Sequence, residues 1–362
     1  MQLQSSDLKL TLFSVYFWQL QRNYPVISSA GASDIETNTV PSDHAVRIRD
    51  ILDARKVVQR YLNRTPLYFY AGLTELLGCQ AYVKHENHQP IGAFKVRGGL
   101  NLVSRLSEDE RKRGVMTAST GNHGQSVAYA AHTFGVKAVV VVPHGNNPDK
   151  VKAIQRLGAE VVFAGKDFDE AREYVERVSR EKGYRYIHSA NEPFLIAGVG
   201  TIGLEILEDL PDVDVILVPV GGGSGASGIS TAVKSINPAI QIIGVQSTEA
   251  PAAYLSWREG KPVASEVMRT FAEGLATRVG FAMTVEIMKR NFSDFILVSD
   301  DEIRQAMRLL LEHTHNVAEG AGAASLAGAM KIKDRLAGKR VAMILSGGNV
   351  TMDTLRQLLS TS

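Results

Sequence analysis

Short runs of hydrophobic residues alternate along this chain with longer segments in which hydrophobic residues recur at helical spacing. The runs are Ala81–Lys84, Val115–Ala118, Val139–Val142, Val161–Phe163, Val215–Val218, Ile242–Val245, Phe295–Val298 and Val341–Leu345. The clearest helical segments are Asp50–Tyr61, Asp149–Leu157 and Asp169–Glu181. Because the runs are almost wholly hydrophobic, we expect strands that are buried on both faces. Such strands, alternating with helices, predict parallel sheets covered by helices.

The number of strands predicts two sheets instead of one. About nine strands, counting less regular segments, are more than one sheet of ordinary size holds. We therefore predict an α/β protein of two lobes, in which twisted parallel sheets are flanked by helices and a cleft separates the lobes. Residues 46–113 and 192–362 are expected to form a large domain, and residues 114–191 a small one.

Residues 1–45 precede the regular pattern. Leu8–Leu20 contains an apolar stretch, and small residues follow it, as in a secretory signal. However, Asp7 accompanies Lys9, so the leading region lacks the positive charge that such signals carry. We expect residues 1–45 to be an N-terminal extension that is poorly ordered or loosely docked.

Composition excludes several classes of protein. A hydrophobic content of 44% and a charged content of 22% favour a packed globular protein over a disordered one. With 40 basic and 38 acidic residues, the net charge of +2 gives no reason to expect a nucleic acid or a membrane as a partner. Cys79 is the single cysteine, which excludes an internal disulfide and suits a reducing compartment. We therefore expect a cytoplasmic protein.

Lys95 is the first candidate for chemistry. It lies between a strand-like run that ends at Lys84 and a helix-like segment that begins near Phe94. A lysine in such a place can hold a carbonyl cofactor as a Schiff base. The alternative is a solvated surface lysine, which is the commoner fate of lysines. The choice depends on whether other segments can hold such a cofactor.

Two loops follow predicted strands and open predicted helices. Ser119–Gln125 combines hydroxyl and amide side chains with the N-terminus of a helix, which is suited to a carboxylate or a phosphate. The same residues are also ordinary helix caps, so this loop alone does not decide. Gly221–Gly228 precedes a helix expected over Ile229–Ser235, and its glycines let consecutive backbone N–H groups surround a phosphate.

The second loop also has a dinucleotide interpretation. Gly223–Gly228 matches the spacing G-x-G-x-x-G. That fingerprint expects an acidic residue about 20 positions later, where it holds a ribose. Gln246 stands at that place instead, so we favour a phosphate site over dinucleotide binding.

A third loop, Ser346–Asn349, ends the last predicted strand, and its serine could bond a ring nitrogen. The histidines show no spacing typical of metal ligands, and we predict no metal site.

Together, Lys95 and the three loops closely resemble the fold-type II pyridoxal-phosphate enzymes, whose fold is tryptophan-synthase-β-like. The chain is most similar to their threonine/serine dehydratases (threonine ammonia-lyases) and serine racemases. The resemblance runs from about Arg47 to Leu359 and includes Lys84–Asn87, Ile196–Thr201 and Glu319–Ala323. It implies a large cofactor-binding domain, pyridoxal 5′-phosphate as the cofactor and a homodimer.

The resemblance also implies a role for each matching residue. Lys95 would form the Schiff base and then move the α-proton of the substrate. The implied cofactor contacts are Phe94, Lys95, Asn122, Gly221, Gly222, Gly223, Ser224, Gly225, Glu319 and Ser346. The residues implied to bind the substrate carboxylate are Ser119, Thr120, Asn122 and His123. The implied reaction is α,β-elimination on a threonine-like, serine-like or bulkier 3-hydroxy amino acid, which gives a 2-oxo acid and ammonia.

Some positions depart from the family pattern. The acidic residues of a divalent-cation site found in racemases and several dehydratases correspond to Gln246 and Ala252, so we predict that this site is absent. Thr120 stands where racemases carry a proton-donating serine, which keeps an amino-acid racemase open as the alternative and makes Thr120 a second catalytic candidate. An NAD-dependent oxidoreductase and a non-catalytic binding module are the other readings.

Overall fold

The computed structural model describes residues 46–360, and the prediction about residues 1–45 lies outside this range. The helices are α1 (Ile48–Tyr61), α2 (Ala71–Leu77), α3 (Lys95–Ser104), α4 (Glu108–Arg113), α5 (Asn122–Thr133), α6 (Pro148–Arg156), α7 (Phe168–Lys182), α8 (Pro193–Asp209), α9 (Ser224–Ile236), α10 (Ala252–Glu259), α11 (Ala282–Asn291), α12 (Asp300–Thr314), α13 (Gly320–Lys331), α14 (Lys333–Leu336) and α15 (Met352–Ser360). The strands are β1 (Leu67–Phe69), β2 (Gln80–His85), β3 (Val115–Ala118), β4 (Ala138–Val142), β5 (Glu160–Phe163), β6 (Arg185–Tyr186), β7 (Val215–Pro219), β8 (Gln241–Ser247), β9 (Asp294–Val298) and β10 (Arg340–Leu345). Short 3₁₀ turns cover Glu86–His88 and Glu273–Leu275.

These strands form two sheets, which confirms the predicted α/β class. The larger sheet has six strands in the order β1-β2-β10-β7-β8-β9, and the smaller has four in the order β5-β4-β3-β6. All described pairings are parallel except that of β1 with β2, in which Leu67 faces Lys84. The smaller sheet comes entirely from residues 115–186. The domain boundaries themselves stay a prediction.

Two strands and one helix start differ from the predictions. β1 and β6 have three and two residues, too few to produce a recognisable hydrophobic run. α9 begins at Ser224 instead of Ile229, so the last five of the eight residues of the predicted glycine loop are helical. The helix accepts these glycines because it packs closely: a side chain at Gly228 would lie 2.4 Å from the carbonyl oxygen of Ile196.

Sheet order explains why three distant segments meet. β2, β10 and β7 are neighbours, with β10 in the middle. The segment leading to Lys95 follows β2, Ser346 follows β10, and the glycine loop follows β7. Because the three strands are parallel, their carboxyl ends lie at one edge of the sheet, where ligands bind in open α/β folds.

A buried group of charged side chains lies beneath this edge. The guanidinium of Arg97 donates two hydrogen bonds of 2.8 Å to the carboxylate of Glu86 and bonds of 2.6 and 2.8 Å to that of Glu205. Lys84 donates to Glu205 at 2.7 Å. Arg97, Glu86 and Lys84 are fully buried, so these contacts join α3, β2 and α8 inside the protein. Among residues 46–360, no helix has the length and apolar character needed to cross a membrane.

Candidate active site

A cavity of about 1050 Å³ opens at the carboxyl edge of both sheets, and Lys95 lies in its wall. Lys95 is the first residue of α3, and its Nζ donates to the carbonyl oxygen of Ser189 and to Oγ of Ser224, both at 3.0 Å. Both partners are neutral. Burial lowers the pKa of Lys95 to about 8, so part of the amine is unprotonated and nucleophilic near neutral pH.

The glycine loop forms the wall beside Lys95. Gly223 has φ +89°, a conformation that residues with a Cβ rarely adopt, and α9 starts immediately after it. A side chain at Gly225 would lie 2.9 Å from the ring of Phe94. The backbone can therefore approach a bound group closely, and the first N–H groups of α9 are available to an anion.

Ser346 and Phe94 lie next to each other in the lining of the cavity. The N–H of Phe94 donates to the carbonyl oxygen of Ser346 at 3.0 Å, which ties the lysine segment to the end of β10. Ser346 is 4% exposed, and its hydroxyl has no hydrogen-bond partner within residues 46–360. A bound ring could supply that partner.

The loop after β3 has two functions. The hydroxyl of Ser119 accepts hydrogen bonds from the N–H groups of Gly121 at 3.2 Å and Gly124 at 2.8 Å, so it satisfies an N–H in the first turn of α5 from two residues before the N-cap Gly121. The hydroxyl of Thr120, by contrast, has no partner within the described part of the chain, and Thr120 lines the cavity. The substrate-binding roles predicted for this loop stay predictions. Of the two hydroxyl groups, that of Thr120 is the one available to bind a substrate.

Asn122 connects this loop to two residues from the end of the chain. Its Nδ2 donates to Oε1 of Glu319 at 2.7 Å, and its Oδ1 accepts from Nδ2 of Asn349 at 2.8 Å. Burial raises the pKa of Glu319 to about 7, an effect that the bond from Asn122 opposes. Three side chains from separate segments therefore form one hydrogen-bonded chain along the cavity.

His123 is buried beside this chain. Burial and the nearby charge of Lys95 lower the pKa of His123 to about 3, so the ring is neutral at neutral pH. Its Nε2 lies 3.4 Å from the carbonyl oxygen of Ile187, while Nδ1 is buried without a partner among the described residues. Nδ1 can donate to a carboxylate only if the proton leaves Nε2, so the predicted contact with the substrate stays a prediction.

Sequence reasoning missed the segment after β6. Ser189 supplies a carbonyl oxygen to Lys95, and His188, which packs edge-on against Phe281 with ring centres 4.8 Å apart, lines the cavity. Burial lowers the pKa of His188 to about 4. The rule that sites follow strands would have pointed here, but a strand of two residues gives no signal in the sequence.

The predicted absence of a divalent-cation site concerns Gln246 and Ala252. The Gln246 amide donates to the carbonyl oxygen of Leu275 at 3.3 Å and accepts from the N–H of Tyr254 at 3.0 Å. Both ends of this buried amide are therefore engaged with the protein. Within residues 46–360, no three His, Cys, Asp or Glu side chains are grouped so as to hold a metal ion.

The cavity fits pyridoxal phosphate. It offers an amine without a carboxylate partner at Lys95, a glycine loop and helix N-terminus for a phosphate, an aromatic ring at Phe94 and an unpartnered hydroxyl at Ser346. The residues predicted to bind cofactor and substrate all line this one cavity. Their individual roles stay predictions.

Comparisons with known proteins agree with this geometry. The family described as "Pyridoxal-phosphate dependent enzyme" matches residues 58–347. The chain is 42% identical over 315 residues to the L-threonine ammonia-lyase of Thermotoga maritima, covering 87% of this chain and 78% of that protein. It is also similar to threonine deaminase isoform 2 from Solanum lycopersicum, with a TM-score of 0.84 and 32% identity over 93% of this chain and 99% of the other. Maize serine racemase gives a TM-score of 0.83 and 32% identity over 87% and 97%.

Proposed function

The chain belongs to the family of pyridoxal-phosphate-dependent enzymes, and we propose that it is an ammonia-lyase that acts on a β-hydroxy amino acid. L-Threonine is the first substrate to test, because curated relatives at 38% to 42% identity are named threonine ammonia-lyases or threonine dehydratases. The observation that carries the proposal is Lys95, a desolvated amine next to a phosphate-binding loop and facing only neutral partners.

The bound cofactor supplies the electron sink that allows a bond at the α-carbon of the amino acid to break. Lys95 would hold the cofactor, and its free amine would take the α-proton of the substrate on Nζ as a general base. Its surroundings suit this role, since Ser189 and Ser224 offer hydrogen-bond acceptors without a negative charge that would keep the amine protonated.

The substrate must be held while this proton moves. The start of α5 and Thr120 line the same cavity as the glycine loop, and the backbone N–H groups and the hydroxyl there can bind the carboxylate. With the carboxylate fixed there, the elimination removes the α-proton and the β-hydroxyl together as one water, and addition of a second water to the resulting enamine gives a 2-oxo acid and ammonia. Fixing both groups supplies much of the rate, because elimination requires an aligned leaving group.

One experiment tests the cofactor and the reaction together. Purified protein with pyridoxal phosphate is expected to absorb at the visible–ultraviolet border and to release a 2-oxo acid from L-threonine, L-serine or a bulkier 3-hydroxy amino acid. Lys95→Ala should abolish both signals, whereas the control Lys234→Ala, remote from the cavity, should retain both. A wild-type protein that gains no absorbance from added pyridoxal phosphate would contradict the proposal.

An amino-acid racemase is the second candidate, because Thr120 offers a free hydroxyl in the cavity and maize serine racemase is structurally similar. A racemase that uses two residues should lose most activity in Thr120→Ala, whereas a lyase should largely retain it. The control is Thr133→Ala, whose hydroxyl bonds the backbone of α5. Loss of optical rotation without 2-oxo acid would favour the racemase.

The remaining expectations are also proposals. A homodimer rests on the family resemblance, and sedimentation of the purified protein tests it. Activity on serine and a cytoplasmic location rest on the same resemblance and on the single cysteine. Dinucleotide binding stays the weaker alternative, because the amide of Gln246, which stands where an acidic residue would hold a ribose, is bonded at both ends within the protein.

A further inference from the structure

We propose that Asn349 and Glu319 fix the orientation of the Asn122 amide, so that Asn122 offers one N–H donor to the phenolic oxygen of bound pyridoxal phosphate. This inference rests on the proposed function, since it requires that cofactor in the cavity. Asn349 and Glu319 are positioning residues, because they act through Asn122. No sequence pattern pairs these residues, because Glu319 lies 197 positions and Asn349 lies 227 positions after Asn122.

The orientation is set from the Asn349 end. Nδ2 of Asn349 lies 2.8 Å from the carbonyl oxygen of Ile91 and 2.8 Å from the Asn122 amide. A backbone carbonyl can only accept, so the nitrogen of Asn349 must face Ile91. Its second hydrogen then requires an acceptor on Asn122, and that acceptor is Oδ1. The usual ambiguity between the oxygen and nitrogen of an amide does not arise at either residue.

The Glu319 end sets the same orientation independently. Oε1 of Glu319 lies 2.7 Å from Asn122 Nδ2. Oε1 can accept whether or not the other oxygen of the carboxyl group carries a proton. If the Asn122 amide turned over, its oxygen would face the carboxyl oxygen and its nitrogen would face the Asn349 nitrogen. The contact with Asn349 would then be repulsive, and the contact with Glu319 would be repulsive whenever that carboxyl group is ionised, so the two neighbours favour one orientation.

One N–H of Asn122 remains after these bonds are counted. The amide has two N–H groups, one of which binds Glu319, and no described residue accepts from the other. Asn122 lines the cavity together with Asn349 and Glu319. This remaining N–H can donate to a group in the cavity that presents an accepting atom there. The ionised phenolic oxygen of the cofactor meets that requirement.

Two glycines leave room for the outer members of the chain. A Cβ at Gly92 would lie 2.7 Å from Oδ1 of Asn349, and a Cβ at Gly347 would lie 2.5 Å from Oε1 of Glu319. A residue with a Cβ at either place would have to displace the end of the Asn349 or the Glu319 side chain. The two glycines therefore leave the space in which these side chains reach Asn122.

The test compares cofactor affinity in two Asn349 variants. Asn349→Asp places an acceptor against Asn122 Oδ1, and Asn349→Leu removes the donor without adding a charge. Titration of the cofactor-free proteins with pyridoxal phosphate, followed by absorbance, should give dissociation constants about tenfold higher than that of the wild type, as expected for the loss of one buried hydrogen bond. An unchanged dissociation constant in Asn349→Leu would overturn the inference.

Asn101 supplies matched controls. It is fully buried, its Nδ2 donates to the carbonyl oxygen of Phe194 at 2.6 Å, and its Oδ1 accepts from Arg105 at 3.1 Å. Asn101→Asp and Asn101→Leu therefore remove a comparable amide away from the cavity. They should lower the melting temperature while cofactor affinity stays within about twofold of the wild type, since 0.4 kcal/mol is about that factor. Equal losses of cofactor affinity at both sites would reduce the Asn349 effect to general destabilisation and overturn the inference.

A cofactor analogue identifies the atom that Asn122 contacts. 3-O-Methylpyridoxal phosphate carries a methyl group on the phenolic oxygen, so the wild type should bind it more weakly than pyridoxal phosphate. In Asn349→Leu this ratio of dissociation constants should fall at least about threefold, because the donor is no longer held in place. An unchanged ratio would contradict the assignment. If the wild type bound no pyridoxal phosphate, the proposed function would be wrong. If the wild type and the Asn349 variants bound it equally well, only the inference about Asn349 and Glu319 would be wrong.

Discussion

Lys95 and Arg97 lie two residues apart in the first turn of α3, yet the protein surrounds their positive charges in opposite ways. Arg97 meets two carboxylates, those of Glu86 and Glu205. Lys95 meets a carbonyl and a hydroxyl oxygen. Burial alone would lower the pKa of both groups; for Arg97 the carboxylates reverse this and raise it, whereas the pKa of Lys95 falls to about 8.

The different partners give the two residues different functions: Arg97 stabilises the fold, and Lys95 reacts. A permanently charged Arg97 with all-round hydrogen bonds fixes the start of α3 against β2 and α8. A lysine with similar partners would stay protonated and could not attack a carbonyl group. α3 therefore presents Arg97, which we call its anchor, on one face and the reactive amine of Lys95 on another. The hydrogen-bond partners of each residue determine which of the two stays charged.

The largest expected effect comes from breaking the anchor. Arg97→Met has a similar volume but leaves the buried carboxylate of Glu86 without a counter-charge and Glu205 with Lys84 alone, so we expect a loss of about 3–5 kcal/mol in the free energy of unfolding. The matched control is Arg64→Met, because Arg64 also binds two carboxylates, those of Glu208 and Asp209, but is 46% exposed. That change should cost no more than about 1 kcal/mol. Urea unfolding measures both, and equal losses would show that burial does not distinguish them.

The next effect has the opposite sign. In the cofactor-free protein, Lys95→Met removes a cation whose lowered pKa costs about 3 kcal/mol at pH 7. The lost hydrogen bonds to Ser189 and Ser224 offset about 1–2 kcal/mol of this, so we expect a net gain of about 1–2 kcal/mol. Because the folded pKa, about 8, lies below the unfolded value of 10.5, the wild type binds fewer protons when folded. Its stability deficit is therefore complete below pH 8 and disappears as the pH rises to about 10.5.

The measurement is urea unfolding of both proteins at several pH values. The difference between Lys95→Met and the wild type should shrink steadily above pH 8. Lys152→Met, on the exposed face of α6, serves as the control and should show no such trend. A gain that stays constant with pH would mean that the added methyl packing, and not the charge, is responsible.

The sequence predicted Lys95 and the loops around it better than it predicted the ion pairs of Arg97. Lys95, the glycine loop and Ser346 each follow a hydrophobic run, so a local pattern and the rule on strand ends are enough to find them. Arg97 and Glu205 are 108 positions apart, and their pairing exists only after α3 packs against α8. The same holds for Asn122 with Glu319 and Asn349, whose amide chain depends on three segments meeting.

Short elements limited the fold prediction in the same way. β1 and β6 take their strand character from the neighbours that they pair with, since neither has enough residues for an alternating or continuous pattern. The start of α9 was misplaced because glycine disfavours a helix interior by propensity, and only the close approach to α8 reverses that preference. Tertiary contacts decided each of these cases.

The smallest effect concerns a third cation, Lys150, whose Nζ lies 2.6 Å from Glu273 across the cavity. Glu273 is 56% exposed, so water already stabilises its charge and the pair resembles neither Arg97 nor Lys95. Glu273→Gln should therefore cost about 0.5 kcal/mol or less, and 1 M salt should remove the effect. Glu181→Gln, which breaks the exposed helical pair with Arg177 at 3.2 Å, should behave alike. A loss above about 2 kcal/mol for Glu273→Gln alone would place Lys150 with the buried anchors instead.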